Sequence, residues 1–185
     1  IAELYRKSTT PLTNVAWAVA GIVYVAVPLA LLVVLPCVGV PGGGFVYRPL
    51  VVLSVIFIVW ANDVGAYLVG RVFGRHRLFE RISPKKSWEG TIGGVLLSVA
   101  VSLLFYWYYA ESSNGVSASL AWYILAGVIL AVGSFAGDLT ESALKRTCGV
   151  KDSGHWIPGM GGAFDVLDSF IYNGVIFWIL CLFRF

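Results

Sequence analysis

The sequence predicts an all-α polytopic membrane bundle of about five transmembrane helices, with the chemistry carried on loops at one membrane face. Three observations predict it. The 185 residues are 58% hydrophobic and only 12% charged, with a mean hydropathy of +0.83, whereas soluble domains carry roughly 25% charged residues. The apolar residues form continuous runs of the roughly 20 residues a helix needs to cross a bilayer, not the short alternating segments of a β-barrel. Lysine and arginine, finally, segregate to alternate loops.

The first span is expected at about 14–36, where Val15 to Leu35 carries no charge, and the second at about 49–70, with Asp63 as its one charge before Arg71. The third is expected at about 91–110, the fourth at about 118–137 and the fifth at about 163–183. Val40-Pro41-Gly42-Gly43-Gly44 reads as the turn between the first two. Trp107, Tyr108, Tyr109, Trp122 and Tyr123 crowd span ends, as aromatic residues do at membrane interfaces.

With five spans, three segments fall on one side. They hold Arg6 and Lys7, then Arg71, Arg75, Arg77, Arg81, Lys85 and Lys86, then Lys145, Arg146 and Lys151. Only Arg48 and Arg184 of the 13 basic residues remain on the other side. The positive-inside rule makes the basic side cytoplasmic. Cys37, Cys148 and Cys181 are dispersed, which suits neither a zinc site nor a disulfide framework. The chain opens on Ile1 with no signal-peptide pattern. The start is therefore read as a cut, made by truncation or processing, and residues 1–185 as a single membrane domain.

The segment from Gly137 to Ser169 is too acidic and glycine-rich for a topological loop. It carries Asp138, Glu141, Asp152, Asp165 and Asp168. Were 138–145 helical, Asp138, Glu141 and Lys145 would share a face. Asp165 and Asp168 open the fifth span after Pro158-Gly159-Met160-Gly161-Gly162. They could serve only the helix dipole. The functional reading is that both aim at one hard cation, since Mg²⁺ prefers carboxylate oxygens. Asp63, within an apolar span, must be paired or coordinated; the alternatives are a structural hydrogen bond and a site residue. Ser83-Pro84-Lys85-Lys86-Ser87, running into the glycines of Thr91-Ile92-Gly93-Gly94, suits phosphate groups. Acids for a cation beside amines for phosphates point to phosphoryl or nucleotidyl transfer. Neither a Ser-His-Asp or Cys-His arrangement nor a P-loop is visible.

At these residues the chain resembles the phosphatidate cytidylyltransferase family. Ser142-Ala143-Leu144-Lys145-Arg146, Lys151-Asp152-Ser153-Gly154 and Pro158 to Asp168 follow its signature S-x-x-K-R, K-D-x-[GSA] and P-G-H-G-G-x-x-D-R-x-D. Asn62-Asp63-Val64-Gly65-Ala66-Tyr67 and Ser83 to Gly90 resemble two upstream blocks. Met160 and Val166 stand where the signature has His and Arg.

The resemblance implies transfer of the cytidylyl group of CTP to phosphatidic acid, giving CDP-diacylglycerol and pyrophosphate. It implies Mg²⁺ as cofactor, with a second cation left open. Asp152, Asp165 and Asp168 are the expected Mg²⁺ ligands, with Asp63 and Asp138 as additional ones. Lys145 and Lys151 join the first three as catalytic residues. Ser142, Arg146, Lys85, Lys86, Gly159, Gly161 and Gly162 are expected to bind substrate. The expected setting is a bacterial inner membrane with the site facing the cytoplasm. The lipid bilayer is the partner, no nucleic acid is expected, and a homodimer is left open. The rival readings are a CTP-dependent lipid-alcohol kinase and a non-enzymatic transporter or scaffold.

Overall fold

A computed structural model describes residues 10–34, 37–40, 44–47, 49–79, 83–111, 118–150, 153–154 and 162–183. Five long helices dominate it: α1 (Pro11–Val34), α2 (Pro49–Phe73), α3 (Trp88–Glu111), α4 (Leu120–Thr147) and α5 (Ala163–Leu182). All five are long and apolar enough to cross a membrane. Two short antiparallel hairpins link them: β1 (Cys37–Val40) with β2 (Gly44–Tyr47), and β3 (Arg77–Phe79) with β4 (Ser83–Ser87).

The helices pack in sequence order, α2 on α3, α3 on α4 and α4 on α5. α1 closes against α5, and α2 also reaches α4 and α5. Buried Val55, Val59, Leu130 and Phe177 are among the residues of the shared core, where the Trp122 indole N–H donates to the Leu180 carbonyl at 3.3 Å. Many large apolar residues instead face outward, Leu12, Trp17, Leu96 and Leu104 among them, as lipid-facing surfaces require. Buried serines find partners within the bundle. Ser98 bonds the Ile58 carbonyl at 3.0 Å and Ser102 that of Tyr123 at 2.7 Å, because hydrocarbon offers no alternative partner.

Two expectations are corrected. The fourth helix does not stop at Gly137 but runs on through Asp138, Glu141, Ser142, Lys145 and Arg146 to Thr147. The polar segment 138–147 lacks Pro and contains good helix formers, so helix propagates beyond the apolar stretch. It ends where Gly149 adopts φ 68° and the N–H groups of Cys148, Gly149 and Val150 bond back to the Leu144, Arg146 and Lys145 carbonyls. Likewise α3 starts at Trp88, so Gly93 and Gly94 lie inside the helix and do not form a phosphate-binding start. They serve close packing: a Cβ on Gly65 would meet the Gly93 carbonyl oxygen at 2.7 Å, and one on Gly94 the Asn62 side chain at 2.6 Å. Small residues at helix contacts let membrane helices approach.

The antiparallel run of the helices brings the C-terminal ends of α2 and α4 and the N-terminal ends of α3 and α5 to one end of the bundle. The β3–β4 hairpin caps that end. Its entry is tied down by Glu89, whose carboxylate lies 2.6 Å from His76 Nδ1 and accepts from the backbone N–H groups of Arg75 and His76.

Candidate functional site

The chain's polar chemistry collects in a cavity of about 870 Å³ at this end. α2 contributes Asp63 and Arg71, the hairpin Arg77, Lys85 and Lys86, α4 Asp138, Glu141 and Ser142, and α5 Asp165 and Asp168. Five acids from three helices thus face four bases across one opening. Asp63, about a hundred residues from Asp165 in sequence, lines the same cavity, as its depth in the second span predicts.

Asp138 is the hinge of the arrangement. Lys86 Nζ reaches its Oδ2 at 2.7 Å, which joins the hairpin to α4. The Lys86 ammonium also sits 4.8 Å from the centre of the Phe135 ring, a cation–π contact that holds the long side chain inward. Ser169 Oγ donates to Asp138 Oδ1 at 2.7 Å, joining α4 to α5. The two helices come this close because Gly137 has no side chain: a Cβ there would meet the Asp168 carbonyl oxygen at 2.6 Å. As a result the Asp138 and Asp168 carboxylates line the same cavity, with Ser169 bonded to both.

Asp165 and Asp168, expected to act alike on the first turn of the last helix, are separated by the structure. Asp165 alone is in the first turn of α5. Its carboxylate accepts from the Gly162 N–H at 2.6 Å, the Ser153 N–H at 3.0 Å and Ser153 Oγ at 2.8 Å. Lys145 Nζ lies 2.9 Å from Asp165 Oδ1 and 2.9 Å from Glu141 Oε1, so one ammonium is shared by two acids. Asp168 lies one turn further in and is buried. It accepts the Ser169 N–H at 2.6 Å and faces Asp138.

Asp168 is buried and Asp138 half-buried, and carboxylates so placed favour a cation near them. Among the described residues, no three His, Cys, Asp or Glu side chains form a complete metal cage. Mg²⁺ rarely uses one: it is held by one or two carboxylates, with substrate phosphates and water completing the octahedron. Asp138 and Asp168 fit that role, with Asp63 on the facing wall.

The remaining expected residues divide as follows. Ser142, Lys85 and Lys86 line the cavity, and Gly162 is buried at the start of α5. Arg146 is exposed on α4 and does not line it. Lys151, Asp152, Gly159 and Gly161 lie outside the described residues, as does Met160. Three charged cavity residues, and Ser169 behind Asp138, went unassigned from sequence. Arg71 and Arg77 were absorbed into the topological charge count. Glu141 was visible only through its i, i+4 spacing to Lys145. Ser169 carried no signal, since its partner Asp138 is 31 residues away.

The model of the cytidylyltransferase family matches residues 1–184. The phosphatidate cytidylyltransferase of Haemophilus influenzae is 43% identical over 124 residues, which are 66% of this chain and 43% of that protein. That of Staphylococcus aureus is 44% identical over 123 residues, 65% of this chain and 45% of its own length. That of Staphylococcus haemolyticus is 40% identical over 122 residues, with the same coverage. The matched region is thus under half the length of these relatives. With all but the last residue inside the family model, the chain belongs to the cytidylyltransferase family.

Proposed function

We propose that this protein transfers the cytidylyl group of CTP to phosphatidic acid, giving CDP-diacylglycerol and pyrophosphate. The reading rests on one observation above all: acids suited to a divalent cation and bases suited to phosphates share a single cavity at the end of a membrane bundle. The named relatives act in the same sense. A phosphate oxygen of phosphatidic acid bonds to the α-phosphorus of CTP, the α–β phosphoanhydride bond breaks, and pyrophosphate carries away the electron pair. The attacking oxygen is already anionic, so no general base is required.

Lys85 and Arg77 make no ion pair with a described acid, which leaves them and Arg71 to hold the triphosphate. Lys86 is committed to Asp138 and sets that carboxylate's orientation. Ser142 offers a hydroxyl from α4. Asp138 and Asp168 would hold Mg²⁺, with Asp63 and Asp152 as further oxygen donors. The ion would neutralise charge developing on the phosphates. Lys145 and Asp165 shape the floor by tying α4 to the start of α5.

CTP labelled on the α-phosphorus, given to the purified protein with phosphatidic acid micelles and Mg²⁺, is expected to place its label in lipid. Label in lipid from γ-labelled CTP, with none from the α position, would make the protein a lipid kinase. No consumption of CTP would leave the transporter or scaffold reading.

The site is further proposed to face the cytoplasm of a bacterial inner membrane, since the described bases of this end outnumber those of the other. Single cysteines at Lys85 and Arg146 should resist a membrane-impermeant maleimide in intact spheroplasts and react after lysis. Reaction of either before lysis would invert the topology.

A further inference from the structure

A second cavity, about 650 Å³ and almost wholly apolar, lies on the outer surface between α2 and α3. Its α2 wall is Phe57, Trp60, Ala61 and Val64, spaced at i, i+3, i+4 and i+7. Its α3 wall runs from Leu97 through Val101 to Leu104, Phe105 and Tyr108, again one helical face. Phe57 braces the two walls, with its ring centroid 6.2 Å from Trp60 and 6.3 Å from Phe105. The furrow exists because the same helices are drawn together nearer the cavity end by Gly65, Gly93 and Gly94, while bulky aromatic residues stand up beyond them.

Its direction is informative. α3 leaves the polar end at Trp88, so Leu97 to Tyr108 runs away from that end over about 16 Å, at 1.5 Å per residue. α2 runs the other way and places Val64 nearer the polar end than Phe57. Trp60 belongs to both spaces: it lines the polar cavity beside Asp63 and the apolar furrow beside Ala61. One side chain thus borders both a charged cavity and a lipid-facing apolar groove. That is the shape of a molecule with an ionic head and a long hydrocarbon tail.

We propose that the α2–α3 furrow seats an acyl chain of the lipid substrate while its phosphate sits in the polar cavity, with Trp60 at the junction. The inference rests on the function proposed above for the substrate's identity, and on Trp60, which lines both spaces, for the location. Bulk lipid is as apolar as the furrow, so seating a tail there yields no net hydrophobic gain. What the furrow supplies is orientation, fixing the tail and with it the angle at which the phosphate enters.

Two measurements test this. Val101→Trp fills the furrow without touching the polar cavity. It is expected to raise the surface KM for dioleoyl phosphatidic acid in mixed micelles about tenfold, the scale of steric misfit in an apolar pocket, with the KM for CTP unmoved. The unaltered protein should be photolabelled on Val101–Tyr108 by phosphatidic acid carrying a diazirine at the tail end. Excess phosphatidic acid should compete that label away and excess phosphatidylcholine should not.

An unchanged surface KM in a folded Val101→Trp protein would overturn the proposal. Labelling that phosphatidylcholine displaces equally would do the same, since the furrow would then hold bulk lipid. If Val101→Trp does not fold, the photolabelling decides alone. Specific tail labelling in a protein that leaves CTP untouched would refute the proposed function and keep the furrow.

Discussion

Asp168→Asn is expected to lower cytidylyl transfer by about a thousandfold while leaving the bundle folded. Asparagine has the same shape and keeps an oxygen for the Ser169 N–H, which lies 2.6 Å from the present carboxylate. It removes one of the two adjacent negative charges at the meeting of α4 and α5, so folding should be unharmed or improved. What is lost is the charge available to a cation. Several kcal/mol of transition-state stabilisation rest on such an ion, and about 1.36 kcal/mol corresponds to each tenfold in rate. The competing account makes Asp168 a partner of the helix dipole. That effect is about 0.3–1 kcal/mol of stability and fades beyond the first turn, whereas Asp168 is already in the second. Turnover measured across a Mg²⁺ titration separates the two. Near-normal turnover at low Mg²⁺ would remove Asp168 from the site.

The depth argument for Asp63 illustrates what was legible without a structure. A carboxylate in an apolar run must find a partner, and the direction of the second span told which end it would occupy; it lines the cavity with Asp138 and Asp168. The five spans were legible for a similar reason, since hydrocarbon demands long uninterrupted apolar runs. Apolarity, however, marks the membrane and not the helix. The helical segment 138–147 was therefore left open between loop and helix, although nothing in it breaks a helix. Gly93 and Gly94 were misread as part of a phosphate-binding helix start because they follow lysines and serines, while between membrane helices glycine signals contact. Pairings such as Lys86 with Asp138 and Ser169 with Asp138 depend on which helices are neighbours, and no local pattern encodes that. Asp165 and Asp168 differ in their partners, Ser153 and Lys145 for the first and Ser169 for the second, and their spacing does not encode that.

Lys145→Met is expected to cost about 3–5 kcal/mol of stability at this end of the bundle, the range for breaking a buried ion pair by removing one partner. Its ammonium lies 2.9 Å from both Glu141 and Asp165. Glu141 is only 5% exposed, so water cannot take over when the lysine is gone. Two acids from α4 and α5 would then face each other unpaired. Methionine keeps most of the volume, so the loss reports charge and not a cavity. Asp165 keeps its bonds from Ser153 and Gly162, whereas Glu141 depends far more on the lysine. The double variant Lys145→Met with Glu141→Gln should therefore recover a substantial part of the lost thermal stability in detergent, though not turnover. A Lys145→Met protein that melts like the wild type would show that the three-residue knot bears no weight. Lys145 would then be available for the phosphate-binding role that its place in the S-x-x-K-R motif suggests.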